Sequence, residues 1–285
     1  MSTGFQRFHY KFDDRIQETR DTVLKRLLDL DPKLYYAQDV DRTKQSDVFI
    51  RRHLEYHSGD VDRTADKIIN SFKVLKSMGA RDIDDSYFPV ETWLHQALFR
   101  YGSDKNGKPV MYMRARYGHR FPRLKDVAVK FIVHMLYKFE LEMEDEWTVV
   151  VDNTGLRYLQ ADLETGYKVF YKFREVLPNN SGSIFIVNAP YFARCMLSVC
   201  SLVLPEQVKQ RFHVVDIADL EQFIDKEQMP DFVGGTCKTP YEGLELVPKG
   251  SPPIVEFAVK EMGYTEKEAE KLKKDIDAHL KAILE

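Results

Sequence analysis

Two rhythms of apolar residues run along this chain. In the first third they recur every three to four positions, the period of helices with one buried face. Ile16, Val23, Leu24, Leu27 and Leu28 predict a helix over Asp13–Leu30, which Asp31-Pro32 ends. Ser46 is placed to cap a second helix carrying Phe49, Ile50 and Leu54 inward. Asp60–Ser77 predicts a third, with Ala65, Ile68, Ile69, Phe72 and Leu75 on one side. From residue 97 the pattern changes. Ala97–Tyr101 and Val110–Arg114 flank a D-K-N-G-K-P turn and read as a hairpin. Trp147–Val151, Ser183–Val187 and Phe212–Asp216 are short runs rich in Val, Ile and Phe, alternating with helical stretches at Arg123–Leu141, Asp162–Leu177 and Tyr191–Val203. Nearly continuous apolar strands are covered on both faces. The expected fold is therefore α/β: a mixed β-sheet flanked by helices, preceded by a small helical module and followed by a C-terminal helix. The expected divisions are 1–88, 89–248 and 249–285.

Gly250-Ser251-Pro252-Pro253 reads as a linker. Helices are predicted beyond it at Ile254–Met262 and Thr265–Leu284, the second opened by a capping box of Thr265 with Glu268. Ala269, Leu272, Ile276, Leu280 and Ile283 form a narrow stripe, expected to dock on the parent domain because fewer than three heptads are present.

Composition narrows the function by exclusion. A net charge of -3 gives no cationic field for nucleic acid, so no nucleic-acid partner is expected. The three cysteines, Cys195, Cys200 and Cys237, lack paired metal spacing, and an odd count fits a reduced intracellular compartment. Met1–Lys11 has no apolar core of a signal peptide, and Arg194 and Pro205 interrupt the best apolar run. A soluble cytoplasmic monomer is expected. Phe5, Phe8, Tyr10 and Phe12 alternate with Arg7, His9 and Lys11, a pattern for an arm docked on the body or an interfacial anchor.

No catalytic constellation is present in the sequence. The positions six residues after the cysteines hold Ser201, Glu206 and Gly243, so no C-x5-R loop exists. Phosphate-loop, dinucleotide, zinc-protease and nucleophile-elbow motifs are all missing. No cofactor is expected. His53 and His57 stand at i, i+4 without a third ligand motif. They and Arg51 and Arg52 read as a solvated helix face or, less favourably, a phosphate-facing one. Lys130, His134 and Lys138 make a basic stripe at i, i+4, i+8, again solvated by default. The unusual helix is Tyr191–Val203. Phe192, Cys195, Met196, Val199, Cys200, Leu202 and Val203 spread around nearly its whole circumference, and such a helix is either buried or membrane-facing.

The motifs S-I-F-I-V-N-A-P at Ser183–Pro190, M-P-D-F-V-G-G-T at Met229–Thr236 and G-S-D-K-N-G-K-P-V at Gly102–Val110 together resemble the CRAL-TRIO lipid-binding family. The resemblance covers most of the chain to about residue 250, and Asp47–Ile83 resembles the family's N-terminal helical module. It implies one hydrophobic ligand, a phospholipid first, held in a pocket under a movable lid helix, with transient docking on a membrane surface. On the family pattern Trp147, Val149 and Val151 with Ile184 and Ile186 are the pocket-facing sets, joined by Met111 and Met113. Without that pattern they read as ordinary core. The matching lid is Tyr191–Val203. Where phosphatidylinositol-binding members carry an acidic residue and a lysine for the headgroup, this chain has Asn179 and Arg211, so the carboxylate is lost. Trp147 stands where some members have a small polar residue. Y-A-Q-D-V at Tyr36–Val40 and P-V-E-T-W-L at Pro89–Leu94 are similar to the CRAL-TRIO part of motile-sperm-domain-containing proteins, whose β-sandwich and anchor are not found in this sequence. The alternatives to a lipid carrier are a scaffold or regulatory module on the same fold, and an isoprenoid carrier of the retinoid or tocopherol type.

Overall fold

The computed structural model describes residues 12–117, 124–142, 146–156, 181–201, 206–239, 241 and 244–284. The expected helix at Asp162–Leu177 and the arm Phe5–Lys11 lie outside the described residues. The chain divides into two compact units, residues 1–81 with 171–180, and residues 82–170 with 181–285.

The first unit is helical. Its helices are α1 (Ile16–Leu27), α2 (Ala37–Gln45), α3 (Asp47–Tyr56) and α4 (Val61–Ser77). Their apolar stripes meet in one core of Ile16, Val23, Leu27, Phe49, Ile50, Leu54, Ala65, Ile68, Ile69 and Phe72. Ser46 caps α3 as the sequence announces, its Oγ accepting from Phe49 N at 3.1 Å, and Asp60 Oδ1 caps α4 by accepting from Arg63 N at 3.0 Å. Ser46→Ala is therefore expected to lower the stability of this unit by about 1 kcal/mol, read by urea unfolding. Helix α2 was not among the predicted elements. Its sequence, A-Q-D-V-D-R-T-K-Q, is too polar to carry a stripe, and only Asp39 and Thr43 are buried.

One expectation in this unit is corrected. Arg52 and His53 do not lie on a solvated or phosphate-facing surface; both are buried. His53 Nδ1 stands 2.9 Å from Phe49 O, its ring packs on Phe49 at 4.6 Å, and burial pushes its pKa down to about 3. Arg51 pairs with Asp13 at 2.6 Å.

The second unit is built on a five-stranded sheet in the order β1 (Leu98–Ser103), β2 (Pro109–Arg114), β3 (Trp147–Asp152), β4 (Ser181–Val187), β5 (Phe212–Val215). The hairpin β1–β2 is antiparallel and the other three pairings are parallel, so the sheet is mixed as expected. Parallel neighbours require crossovers. After the short α5 (Val90–Leu94), these include α6 (Lys125–Glu142) between β2 and β3, and α7 (Tyr191–Ser201) between β4 and β5. Asp104 pins the hairpin turn: its carboxylate accepts from Asn106 N and Lys108 N at 2.9 Å each, and from Thr148 Oγ1 of β3 at 2.8 Å.

One sheet face is closed by the segment after β5. Phe99, Val110, Tyr112, Val150, Phe185 and Val187 share a core with Leu220, Ile224, Met229, Val233 and Tyr241. The glycines of M-P-D-F-V-G-G are there for geometry. Gly234 has φ +87°, and a Cβ on Gly235 would lie 1.9 Å from Met229 O, so only glycine lets the loop fold back on itself.

The C-terminal helices α8 (Ile254–Met262) and α9 (Glu266–Leu284) belong to this unit. Ala269, Leu272, Ile276 and Leu280 are buried with Ile254, Phe257 and Ala258, and Tyr87, Leu124 and Val127 pack against them, so the stripe docks within the chain. The capping box forms: Glu268 N donates to Thr265 Oγ1 at 3.3 Å and Thr265 N to Glu268 Oε2 at 3.1 Å.

The basic stripe of α6 is ion-paired and hydrogen-bonded rather than free in solvent, although Lys138 keeps 41% of its side chain exposed. His134 Nε2 lies 3.0 Å from Asp85 Oδ1, Lys138 pairs with the same carboxylate, and Lys130 Nζ donates to Tyr87 Oη at 3.2 Å. The 84–88 turn captures the stripe, and hydrogen bonding to His134 helps hold the Asp85 carboxyl down at about 2.

Candidate ligand-binding face

Alternation along the strands places the second sheet face. In β2 the in-phase positions are Met111 and Met113, in β3 Trp147, Val149 and Val151, and in β4 Ile184 and Ile186. The register then aligns them across the sheet. Met111 pairs with Val149, Val149 with Ile184 and Ile184 with Phe212. One step along, Met113 pairs with Val151, Val151 with Ile186 and Ile186 with Val214. Six of the seven residues singled out in the sequence thus fall in two cross-strand ladders, and Trp147, in phase with Val149 and Val151 and paired with Ser181, stands beyond their end. Phe212 and Val214 complete the ladders and were missed. Their strand is the shortest, and F-H-V-V-D gives no contrast between its two faces.

Burial grades along this face. Met111 and Trp147 are fully buried and Val149 nearly so, whereas Met113, Val151 and Ile184 are half-buried and Val214 is 48% exposed. The buried end abuts α6: Trp147 meets Phe139 edge to face, with centroids 4.8 Å apart at 89°. The start of β3 is closed by this aromatic pair, and Met113, Val151 and Val214 further along β2, β3 and β5 are less covered, whereas in β4 the order reverses, with Ile184 half-buried and Ile186 buried.

Arg211 sits immediately before β5 and is 2% exposed. Its guanidinium lies 3.7 Å from Glu146 Oε1, and Glu146 also binds Lys108. Arg211 is in phase with His213, which pairs with Phe185 of the closed core, and Glu146 is in phase with Val150 of the same core. The expected headgroup cation is therefore a buried, ion-paired side chain at the strand starts, on the side opposite the two ladders. Glu146 was not singled out in the sequence, because its partner is 65 positions away and only the sheet register unites them.

Helix α7 exposes Tyr191, Arg194, Cys195 and Ser198, and half-buries Phe192, Ala193 and Leu197. Arg194 Nε donates to Ala189 O at 2.8 Å, tying the helix to the N-A-P turn that begins it. Asn188 in that turn takes φ +49° and donates through Nδ2 to Thr154 Oγ1 at 3.0 Å. Met196, Val199 and Cys200 are placed by backbone alone, and Leu202, Val203 and Asn179 lie outside the described residues.

This sheet, with its closing glycine segment, matches a known family model. The model is the CRAL/TRIO domain, over residues 95–235. This segment is a CRAL/TRIO domain. The family-level activity is lipid binding. Among curated proteins the chain is 25% identical over 138 residues to the human tyrosine-protein phosphatase non-receptor type 9, covering 47% of this chain and 23% of that one. It is 27% identical over 177 residues to the phosphatidylinositol transfer protein CSR1 of Eremothecium gossypii, covering 61% of this chain and 40% of that one. The chain thus spans less than half the length of either relative. Among solved structures, that of Sfh5 superposes with a TM-score of 0.56 at 16% identity, covering 89% of this chain and 98% of that one, which is a likeness of fold. The CRAL/TRIO segment runs through the hairpin, both ladders, α7 and the Gly234-Gly235 turn. The match to the phosphatase covers too little of that protein to carry its catalysis. No helix among the described residues is long and apolar enough to cross a membrane.

Proposed function

We propose that this protein is a non-enzymatic lipid carrier that holds one phospholipid against the two ladders, with α7 as a movable cover. The observation that carries this reading is the asymmetry of the sheet. One face is sealed by Leu220, Ile224, Met229, Val233 and Tyr241, while the other presents Met113, Val151, Ile184 and Val214 incompletely covered. Hydrocarbon on central strands is stabilised by apolar cover, at about 25 cal/mol per Å² removed from water, and an acyl chain provides it. A relative named as a phosphatidylinositol transfer protein supports a phospholipid as that ligand. Arg211, ion-paired with Glu146 on the side of the sheet opposite the ladders, offers no cation to an anionic head, which supports a zwitterionic one. The exposed Tyr191, Arg194 and Cys195 of α7 support contact with a membrane surface during exchange.

Native mass spectrometry of the purified chain tests the reading. A single adduct of phospholipid mass is the expected result. An adduct of isoprenoid mass would replace the phospholipid, and a bare chain that takes up nothing from vesicles would turn the fold into a scaffold. Replacing Met196 and Val199 together by Glu is expected to slow transfer between vesicles and weaken vesicle binding. Unchanged transfer would remove the cover role of α7.

A further inference from the structure

The chain has two tryptophans, and each has a buried indole N–H that meets no acceptor. Trp147 is the more constrained, since its whole side chain is inaccessible to solvent. It stands at the first position of β3, at the covered end of the ladder face. Its strand partner is Ser181. The ladder that begins just beyond it, Met111, Val149, Ile184 and Phe212, offers only hydrocarbon, thioether or ring surface, and no group around it accepts the indole hydrogen. A buried donor without an acceptor is costly to keep, and native structures keep few of them. Phenylalanine would fill much of the same space against Phe139 without that cost.

We infer that the Trp147 indole N–H donates to an oxygen of the bound ligand, and so selects ligands that carry an acceptor oxygen at the end lying over the strand starts. This rests on the lipid-carrier reading and sharpens it. The ligand enters with an ester carbonyl or phosphoryl oxygen leading toward Trp147, and its chains run along Val149 and Val151 toward the less covered strand ends. A purely hydrocarbon ligand would leave the donor unmet. Residue 147 then sets selectivity through one neutral hydrogen bond, without drawing Arg211 away from Glu146.

The test uses the full chain, stripped of lipid and reloaded with phosphatidylcholine or with squalane, a hydrocarbon of comparable bulk without oxygen. Native mass spectrometry establishes the loading of each sample. Two tryptophans give two indole resonances in a ¹H–¹⁵N spectrum, and Trp93→Phe assigns them. The Trp147 proton is expected downfield in the phosphatidylcholine form relative to the squalane form. Trp147→Phe is expected to weaken phosphatidylcholine retention roughly five- to tenfold, the range for one hydrogen bond, and to leave squalane uptake nearly unchanged. A resonance at the same position in both loaded forms overturns the inference. So does an upfield resonance indifferent to ligand, which would place the N–H over the Phe139 ring, or an equal loss of both ligands in the variant. If Trp147→Phe does not fold, the wild-type spectra still decide. If no lipid loads at all, the carrier reading itself falls and takes the inference with it; a loaded protein with an unmoved Trp147 signal removes the inference alone.

Discussion

Ile184→Asp is expected to abolish lipid retention while leaving the second unit folded. Ile184 is half-buried at the middle of a ladder, between Val149 and Phe212. In the empty protein an aspartate there can keep part of its hydration. Under an acyl chain it must be desolvated or neutralised, at a cost of at least about 3 kcal/mol, or more than a hundredfold in affinity. Ile186 is the contrasting position. It is 5% exposed, so the same substitution should unfold the sheet as well as empty it. The ratio of lipid to protein by native mass spectrometry, with thermal unfolding of each variant, separates the two effects. Lipid at wild-type stoichiometry in a folded Ile184→Asp protein would show that the ladders are not the ligand face.

Acid should loosen the N-terminal unit well before it reaches the carboxylates of the second. His53 is fully buried, and desolvation lowers its pKa from 6.5 to about 3 against the opposing hydrogen bond to Phe49 O. Arg42, Lys67 and His57 push in the same direction as burial. In the unfolded chain the imidazole binds a proton near pH 6.5, while in the folded unit it stays neutral. The unfolded state therefore gains protons first as pH falls, and stability drops across the window from 6.5 to 3. At 1.36 kcal/mol per pH unit over this window, the loss totals about 5 kcal/mol. Asp85 in the second unit behaves differently. Its folded pKa is about 2, so its contribution is present above the ordinary carboxylate pKa and is lost only as pH falls toward 2. His213 in that unit is also lowered by burial, but it is only half-buried and its effect is smaller. Hydrogen exchange of α3 and α4, corrected at each pH for the intrinsic amide rate, should accelerate between pH 7 and pH 4 in the wild type. His53→Phe, which keeps the ring contact with Phe49, should flatten that dependence. Equal acceleration in both proteins would show that His53 is not the group responsible.

How far the sequence carries differs between fold and site. Strongly periodic or strongly apolar segments declare themselves, because their type follows from burying one stripe or two faces. Thus α3, α4, α8 and the strands were legible, as were the caps at Ser46 and Thr265, where a short polar side chain precedes an apolar run. Helix α2 was not legible, since it offers two buried polar residues in place of an apolar face. Charge misled most. Lys130, His134 and Lys138 read as a solvated stripe, and Arg52 and His53 as part of a solvated face. A charged or titratable side chain says nothing of its surroundings until the partner is placed, and Asp85 lies 49 positions from His134 in the chain.

The sequence by itself determined the mixed sheet with flanking helices, the hairpin turn built on Asp104, the glycine pair that lets the closing segment fold back, and the set of apolar residues with the right parity to line one face. Those are consequences of local period, turn chemistry and steric limits, which neighbouring residues settle among themselves. Only the tertiary structure decided that Met111, Val149 and Ile184 fall in one ladder and Met113, Val151 and Ile186 in the next, that Phe212 and Val214 extend them, and that Arg211 is held by Glu146. Register and ion pairing are fixed by contacts between segments tens of residues apart, whose free energy no single segment carries. The same holds for Trp147: its position in a strand follows from the run W-T-V-V-V, but its buried indole N–H without an acceptor exists only once α6 is packed on the sheet.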